Sequence, residues 1–367
     1  MKIDVVIGTR PEAIKMAPVI MELRGRECFK VKTISTGQYA EMCRQALDFF
    51  GLVPDVDLSI MKHVQSLDYI TSSVLNGIGE LLDDDRPDAV LVHGDTTTTF
   101  AASLAAFYRA IPIGHVEAGL RSFDMSRPFP EEMNRVVTDR VAHWLFAPTE
   151  LAAKNLRTED ERNHERIYVT GNTVIDALYA ALEILNASES GGLRVKTDDS
   201  PFILMTAHRR ESWGKPMENI CRALIEILRR HKGYAALVPM HKNPAVRDTI
   251  RSILGEYENV TLCDPLDYPD FVRALNSCKI ILSDSGGVQE EASALGKPVV
   301  VLRDVTERPE ATVSGTAILA GTEQEDIVSI SDRLLSSEEE YLRISARKSL
   351  NPFGDGTASV RIADILT

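Results

Sequence analysis

The sequence lacks the features of a disulfide-rich, metal-binding or membrane protein. Its five cysteines are spread over 367 residues, and no two have C-x-x-C spacing, so neither a disulfide framework nor a metal site is predicted. No apolar run approaches the roughly 20 residues that span a bilayer. The first seven residues, interrupted by Asp4, do not have the pattern of a signal peptide. We therefore expect a soluble, cytoplasmic protein with reduced thiols and no membrane partner.

Positive charge is also scarce. The chain has 41 basic against 54 acidic residues, a formal net charge of -13, which disfavours nucleic acid and anionic membranes as partners. A composition of 44% hydrophobic and 26% charged residues is typical of a globular protein and excludes disorder as the main state. At roughly 150 residues per domain, the length predicts two domains.

Short β-rich runs alternate with segments that carry a helical apolar stripe, as in doubly wound parallel sheets. The twelve strand candidates are residues 3–7, 31–35, 89–92, 113–116, 145–147, 167–170, 202–206, 235–238, 260–262, 280–283, 298–302 and 316–319. The polar stretch 187–200 separates them six and six. We predict an α/β protein with two Rossmann-like domains facing across a cleft, residues 1–172 and 173–350. A last helix within 351–367 can pack back on the N-terminal domain.

The first strand leads into G-T-R-P-E-A-I-K at residues 8–15. Thr9 is a plausible N-cap, and free backbone N–H groups, the helix dipole, Arg10 and Lys15 together favour an anion site. The alternative is a capped helix with two solvated cations. Neither G-x-G-x-x-G nor G-x-x-x-x-G-K-[ST] occurs in the chain, so the NAD and ATP fingerprints are missing and no cofactor is predicted.

Two further strands of the first half end in an imidazole and an acid. A-V-L-V-H-G-D-T-T-T-T (89–99) presents His93 and Asp95, and I-G-H-V-E-A-G-L-R (113–121) presents His115 and Glu117. The first pair alone also fits a capping Asp beside a buried histidine. Because both lie at strand ends, where open α/β sheets bind ligands, together they favour a site.

The segment R-P-F-P-E-E-M-N-R (127–135) is a proline-containing loop that runs into a helix. It brings Glu131 and Arg135 to the start of that helix. Glu131 is a candidate acid/base group, although an acid here also complements the helix dipole.

In the second half, L-M-T-A-H-R-R-E-S (204–212) puts His208 and two arginines after a strand, which favours anion binding over a solvated basic turn. I-I-L-S-D-S-G-G-V-Q-E-E (280–291) joins a strand to a helix through Ser-Gly-Gly at 285–287. Small residues there let backbone N–H groups approach a phosphate, and Glu291 can accept hydrogen bonds from ribose hydroxyls. The alternative is a glycine turn required by packing.

These motifs, together with T-G-N-T-V-I-D-A-L, R-D-V-T-E-R-P-E and N-P-F-G-D-G, resemble those of the non-hydrolysing UDP-N-acetylglucosamine 2-epimerases, in the same order. The resemblance runs from Met1 to about residue 360. It implies a glycosyltransferase-B-like fold, reversible conversion of UDP-GlcNAc to UDP-ManNAc, a UDP-sugar as ligand, and a homodimer.

The resemblance also implies roles for individual residues. The residues expected to bind UDP are Arg10, His208, Phe271, Ser285, Gly286, Gly287 and Glu291, with Phe271 beside the uracil. The residues expected at the sugar are Lys15, Asp95, Glu117, Glu131, Arg135 and His208, of which Asp95, Glu117, Glu131 and His208 are the catalytic candidates.

Inverting C2 of an N-acetylhexosamine is difficult because its proton is not next to a carbonyl. Oxidation at C3 by a nicotinamide would acidify it, but the dinucleotide fingerprint is missing. Elimination of UDP to a 2-acetamidoglucal, followed by re-addition, needs a cationic cradle and acid/base groups on both sugar faces. The candidate residues above supply both, so this route is favoured.

The sequence departs from the family at a second, activating UDP-GlcNAc site. Where bacterial members have Gln-His-Arg and a later Arg, this chain has Gln38-Tyr39-Ala40, then Glu41, and Val64. Gln38, Gln65 and His241 match the family. Because a diphosphate should bind poorly without those cations, we expect weak or absent substrate activation.

Four alternatives remain open at this stage: a glycosyltransferase of the same architecture, a catalytically silent nucleotide-sugar sensor, a hydrolysing epimerase that releases ManNAc and UDP, and a 2-epimerase of a modified UDP-sugar. The presence of Asp95, Glu117 and Glu131 argues against a catalytically silent sensor. Accumulation of UDP would mark the hydrolase.

Overall fold

The computed structural model describes residues 1–38, 40–62, 65–159, 164–187, 200–306 and 308–367. It divides the chain into two compact units, Met1–Ala180 with Phe353–Thr367, and Ala181–Pro352. The chain passes from the first unit to the second within a helix, Thr173–Ala187. Most of the predicted seam, residues 188–199, lies outside the described residues.

Seven parallel strands form the sheet of the first unit. They are β1 Lys2–Ile7, β2 Lys30–Ser35, β3 Val56–Asp57, β4 Ala89–His93, β5 Ile113–Val116, β6 Trp144–Ala147 and β7 Ile167–Val169. Their spatial order is β3-β2-β1-β4-β5-β6-β7. The order reverses between β1 and β4, so the loops that follow these two strands lead in opposite directions and leave a crevice at the carboxyl edge.

Six parallel strands form the sheet of the second unit. They are β8 Phe202–Thr206, β9 Ala235–Pro239, β10 Val260–Cys263, β11 Ile280–Ser283, β12 Val299–Val301 and β13 Ala317–Leu319. Their order is β10-β9-β8-β11-β12-β13, which reverses between β8 and β11.

Helices connect the strands in both units, as the right-handed crossovers of parallel sheets require. They are α1 Arg10–Arg24, α2 Ala40–Phe49, α3 Leu67–Asp84, α4 Thr97–Tyr108, α5 Glu131–Val141, α6 Glu150–Glu159, α7 Thr173–Ala187, α8 Lys215–Arg230, α9 Pro244–Leu254, α10 Tyr268–Ser277, α11 Gly286–Leu295, α12 Pro309–Ser314, α13 Gln324–Ser336, α14 Glu338–Ser345 and α15 Ala358–Leu366. None of the helices within the described ranges is long and apolar enough to cross a membrane.

The predicted α/β fold class is confirmed, and each of the twelve predicted strands corresponds to an observed one. The expected division into six and six strands is wrong, because β3 adds a seventh strand to the first sheet. This strand has two residues, too few to show the periodicity by which strands are recognised in sequence. It pairs with the end of β2.

The C-terminal helix α15 belongs to the first unit. The N–H of Asn172 donates to the carbonyl of Phe353 at 2.7 Å. The buried carboxylate of Asp176 accepts hydrogen bonds from the backbone N–H groups of Ala358 and Ser359 and from the Ser359 hydroxyl, which satisfies the start of α15. The chain end is thereby fixed close to the carboxyl end of β7.

Candidate functional site

A largely buried ion pair lies at the carboxyl edge of the first sheet. Lys15, from the second turn of α1, donates to Oε2 of Glu117, which follows β5. Nδ2 of Asn172 donates to the same oxygen at 3.2 Å. The Nε2 atom of His93, at the end of β4, is 3.6 Å from it and makes no hydrogen bond within the part of the chain that the structure describes. Lys15, Asn172 and His93 therefore converge on the Glu117 carboxylate, whose side chain is 10% exposed.

The backbone of Glu117 is strained. Its φ of 68° lies in the left-handed region, which costs a residue other than glycine about 1–3 kcal/mol. Such strain persists only where the surroundings fix the residue, and here Lys15 and Asn172 bind the carboxylate. Strained residues of this kind concentrate in active sites, so the conformation supports a functional role for Glu117.

A second cluster of charged side chains is centred on Arg135 and includes Asp95. Arg135 of α5 pairs with the Asp95 carboxylate and, through its other terminal nitrogen, with Glu132 at 2.6 Å. Asn134 Nδ2 donates to the Asp95 carbonyl at 2.9 Å. Helix α5 thus fixes both the side chain and the backbone of Asp95, and the Asp95 side chain stays 28% exposed.

Glu131 is the first residue of α5. Its Oε2 atom is buried and has no hydrogen-bond partner among the described residues. A carboxylate oxygen that is buried without a donor is costly, unless a ligand or water supplies one. Glu131 therefore differs from Glu132, whose Oε1 accepts the N–H groups of Ser122 and Phe123 at 3.0 Å each and has a structural role.

The expectation of free N–H groups after β1 is wrong for Gly8 and Thr9. Both donate to Oε2 of Glu12, at 3.0 and 2.6 Å, and Thr9 is the N-cap in a capping box with Glu12. The Glu12 carboxylate occupies the position that an anion would take at this helix start. Arg10 and Lys15 are half-buried at the start of α1, and Lys15 pairs with Glu117.

His115, which the sequence suggested as a site residue, is part of a fully buried polar chain. Its Nδ1 is 2.6 Å from Asp139, and its Nε2 is 2.7 Å from the carbonyl of Gly94. Arg121 pairs with Asp139 at 2.7 Å. Burial raises the pKa of Asp139, but His115 and Arg121 outweigh it and hold that pKa below its ordinary value. His115 thus binds the backbone of Gly94, the residue before Asp95.

In the second unit, the buried carboxylate of Asp284 organises the loop that carries His208. Its Oδ2 accepts hydrogen bonds from the backbone N–H groups of His208 and Arg209, both at 2.9 Å, and from the Ser212 hydroxyl at 3.0 Å. Its Oδ1 is 3.5 Å from Nδ1 of His208. Asp284 directly follows β11 and His208 follows β8, so this contact bridges the point where the order of the second sheet reverses.

The His208 ring is 42% exposed and stacks on His241, with ring centroids 5.8 Å apart. Partial burial lowers the pKa of His208 below its ordinary value; Asp284 opposes this shift, and His241 and Arg209 add to it. The imidazole is thus biased towards its neutral form, in which one nitrogen can accept a proton.

Helix α11 begins at Gly286, directly after Ser285. A Cβ atom built on Gly287 would meet no described atom within 4 Å, so the space beside Gly287 is open. Glu291 lies buried in the second turn. Its neighbour Glu290 pairs with Arg308 and belongs to the packing of the helix.

The remaining predicted residue, Phe271, lies in α10 and is half-buried. The described contacts bring Lys15 to Glu117 and Arg135 to Asp95 in the first unit, and they keep the His208 loop on Asp284 in the second. Glu131, Ser285, Gly286, Gly287 and Glu291 lie at or near helix starts that follow the sheet edges.

Sequence reasoning missed four residues that hold these groups: Glu12, Glu132, Asn172 and Asp284. The T-x-x-E pattern of Thr9 and Glu12 is a readable capping signal, and Asp284 directly follows a strand. Asn172 reaches Glu117 across 55 positions of sequence, and no local pattern indicates that contact.

The segment compared above with an activating site is only partly described, because Tyr39 and Val64 lie outside the described residues. Gln38 is buried, and its side-chain oxygen accepts from the Thr98 hydroxyl at 3.1 Å. Gln65 donates to the Gln38 carbonyl at 3.2 Å. Both glutamines therefore have structural partners.

Comparison with known proteins gives a consistent result. The family model described as UDP-N-acetylglucosamine 2-epimerase matches residues 21–367. The UDP-N-acetylglucosamine 2-epimerase of Escherichia coli K12 is 48% identical over 100% of this chain and 98% of its own length.

Solved structures agree over the same span. The UDP-GlcNAc 2-epimerase of Neisseria meningitidis bound to UDP-GlcNAc is 46% identical, with a TM-score of 0.89 and coverage of 100% of this chain and 99% of that one. The Methanocaldococcus jannaschii UDP-GlcNAc 2-epimerase in complex with UDP-GlcNAc and UDP is 34% identical, with a TM-score of 0.81 and coverage of 100% and 99%. Sequence, fold and full-length coverage together establish that this chain belongs to the UDP-N-acetylglucosamine 2-epimerase family.

Proposed function

We propose that this protein interconverts UDP-GlcNAc and UDP-ManNAc without net hydrolysis, by elimination and re-addition of UDP through a 2-acetamidoglucal. The observation that carries the proposal is the set of carboxylates at the edge of the first sheet. Glu117 is held by Lys15, Asp95 is held by Arg135, and Glu131 has a buried oxygen without a described donor. Membership of the family supplies the substrate.

The reaction balances without an added reactant. A carboxylate takes the C2 proton, the C1–O bond to UDP breaks, and its electron pair leaves with the diphosphate, so that C1 and C2 become doubly bonded. In the reverse sense a proton is delivered to the opposite face of C2 and the UDP oxygen re-forms its bond to C1. Both steps need an acid or base on each face of the sugar and cations for the departing diphosphate.

The residues of the two units suit different parts of this task. We assign proton exchange at C2 to Asp95, Glu117 and Glu131. The UDP contacts are assigned to Arg10, His208, Phe271, Ser285, Gly286, Gly287 and Glu291, with Lys15 and Arg135 supporting the sugar and diphosphate. The open space beside Gly287 is consistent with the close approach of a phosphate to the backbone there.

Isotope exchange tests the mechanism. Incubation with UDP-GlcNAc in D2O should place deuterium at C2 of both epimers, and NMR should detect UDP-ManNAc while free UDP stays low. Epimerisation with full retention of the original hydrogen would refute elimination. Stoichiometric release of UDP and ManNAc would show a hydrolysing enzyme instead. The homodimer stays a prediction, which sedimentation equilibrium tests.

A further inference from the structure

The carboxylate of Glu12 lies in the crevice where the strand order of the first sheet reverses. Oε2 accepts the N–H groups of Gly8 and Thr9, at 3.0 and 2.6 Å. Oε1 accepts the hydroxyl of Thr96 at 2.7 Å and lies 3.0 Å from that of Thr99. The residue is 2% exposed. One buried side chain thus joins the loop after β1 to the loop after β4.

Both loops carry residues assigned above to the reaction. Thr9 directly precedes Arg10, and Thr96 directly follows Asp95. The strands β1 and β4 pair in the sheet, but their following helices lead in opposite directions, so no shared helix joins the two loops. The side-chain hydrogen bonds of Glu12 add a direct link between the two loops beyond the ends of the strands.

Capping of α1 does not account for all of these contacts. In a capping box the acid side chain needs only to accept the N-cap N–H, which Oε2 does with Thr9. The contacts of Oε1 go to another helix, α4, whose own N-cap is Thr96. The second oxygen therefore has a function that the start of α1 does not require.

We propose that Glu12 is a positioning residue that holds Arg10 and Asp95 in one arrangement for the reaction. This inference rests on the proposed function, because it concerns residues assigned to that chemistry. A loop displacement of about 1 Å in an active site can reduce turnover about 100-fold. The effect of losing Glu12 should therefore appear in kcat, beyond any loss of stability.

The test compares two conservative replacements that separate length from charge. Glu12→Gln keeps the length; its oxygen can accept from Gly8 and Thr9, and its NH2 group can donate to the threonine hydroxyl oxygens. Glu12→Asp keeps the charge but is shorter by one methylene, so it cannot reach both loops. We expect kcat for UDP-GlcNAc within about threefold of wild type for Glu12→Gln, and a loss of about 100-fold for Glu12→Asp.

A second pair of variants tests the other side of the contact. Thr96→Ser keeps the hydroxyl and should retain kcat, whereas Thr96→Ala should lower it. Because Thr96→Ala also removes an N-cap, the control is Ser337→Ala, which removes the N-cap of α14 and should leave kcat unchanged. This pair also decides the matter if Glu12→Asp does not fold.

Full activity in both Glu12→Asp and Thr96→Ala would overturn the proposal, and so would equal losses in Glu12→Gln and Glu12→Asp. Hydrogen exchange gives a readout that is independent of turnover. Glu12→Asp, or Thr96→Ala in its place, should speed exchange in the loop at 93–96 relative to wild type, and unchanged exchange there would also refute the role. If wild type itself fails to convert UDP-GlcNAc, the proposed function fails, and the exchange result still decides whether Glu12 joins the two loops.

Discussion

Asp4 is a buried carboxylate within β1, and replacing it with asparagine should change how stability depends on pH. The residue is 0% exposed, and neither carboxylate oxygen has a hydrogen-bond partner in the described part of the chain. Burial raises the pKa of Asp4 from 3.8 to about 6, even though Lys32 and Lys2 lower it. The folded protein therefore binds this proton more tightly than the unfolded chain.

The sign and size of the effect follow from this difference. As pH rises through the window from 3.8 to about 6, the unfolded chain releases the proton first, so the stability contributed by protonated Asp4 is lost. The shift of about 2 pKa units corresponds to about 3 kcal/mol, of which about 2 kcal/mol should be lost between about pH 4.5 and about pH 7.5. Asp4→Asn has no proton to lose and should gain that amount relative to wild type over the same range.

Urea denaturation of both proteins at several pH values measures the difference. The control is Asp355→Asn, because hydrogen bonds from Arg361 and Thr357 lower the pKa of Asp355 to about 2. The stability that Asp355 contributes is present above pH 3.8 and lost only as pH falls through about 2, so its difference from wild type should be flat above about pH 5. A pH-independent difference for Asp4→Asn would refute the reasoning, as would a gain that grows towards low pH.

The remaining predictions concern the two sheet edges. Asp284→Asn should lower the pKa of His208 further, because the Asp284 charge raises it; NMR titration of the imidazole measures this, and an unchanged or higher pKa would contradict it. Gly8→Ala should lower the free energy of unfolding by about 1–3 kcal/mol, because the new Cβ would clash with the hydroxyls of Thr98 and Thr36. Urea denaturation measures this loss, and a stability equal to wild type would refute the prediction. Gly287→Ala, the matched control in open space, should fold normally but bind UDP more weakly by calorimetry; equal affinity would count against phosphate binding there. The protein should convert UDP-ManNAc alone, and a strict need for added UDP-GlcNAc would disprove the expected loss of activation.

Much of the candidate site could be read from sequence because its residues follow strands directly. His93, Asp95, Glu117, His208 and Ser285 all come at or just after the ends of predicted strands, and parallel strands present those ends at one edge. The strand pattern itself was readable because β-rich runs of three to five residues alternate with longer helical segments. The two-residue β3 carried no such signal.

What the sequence determined by itself was the fold class, the family motifs and the sheet edges at which the candidate residues lie, since these depend on local periodicity and on residues close together in the chain. Only the tertiary structure decided how the charges pair. Lys15 meets Glu117 across 102 positions, and Asn172 meets it across 55. It also decided that the Glu12 carboxylate accepts the hydrogen bonds of the Gly8 and Thr9 amides. Hydrogen bonds and ion pairs act over a few ångströms in space, and chain separation does not encode which distant groups come that close.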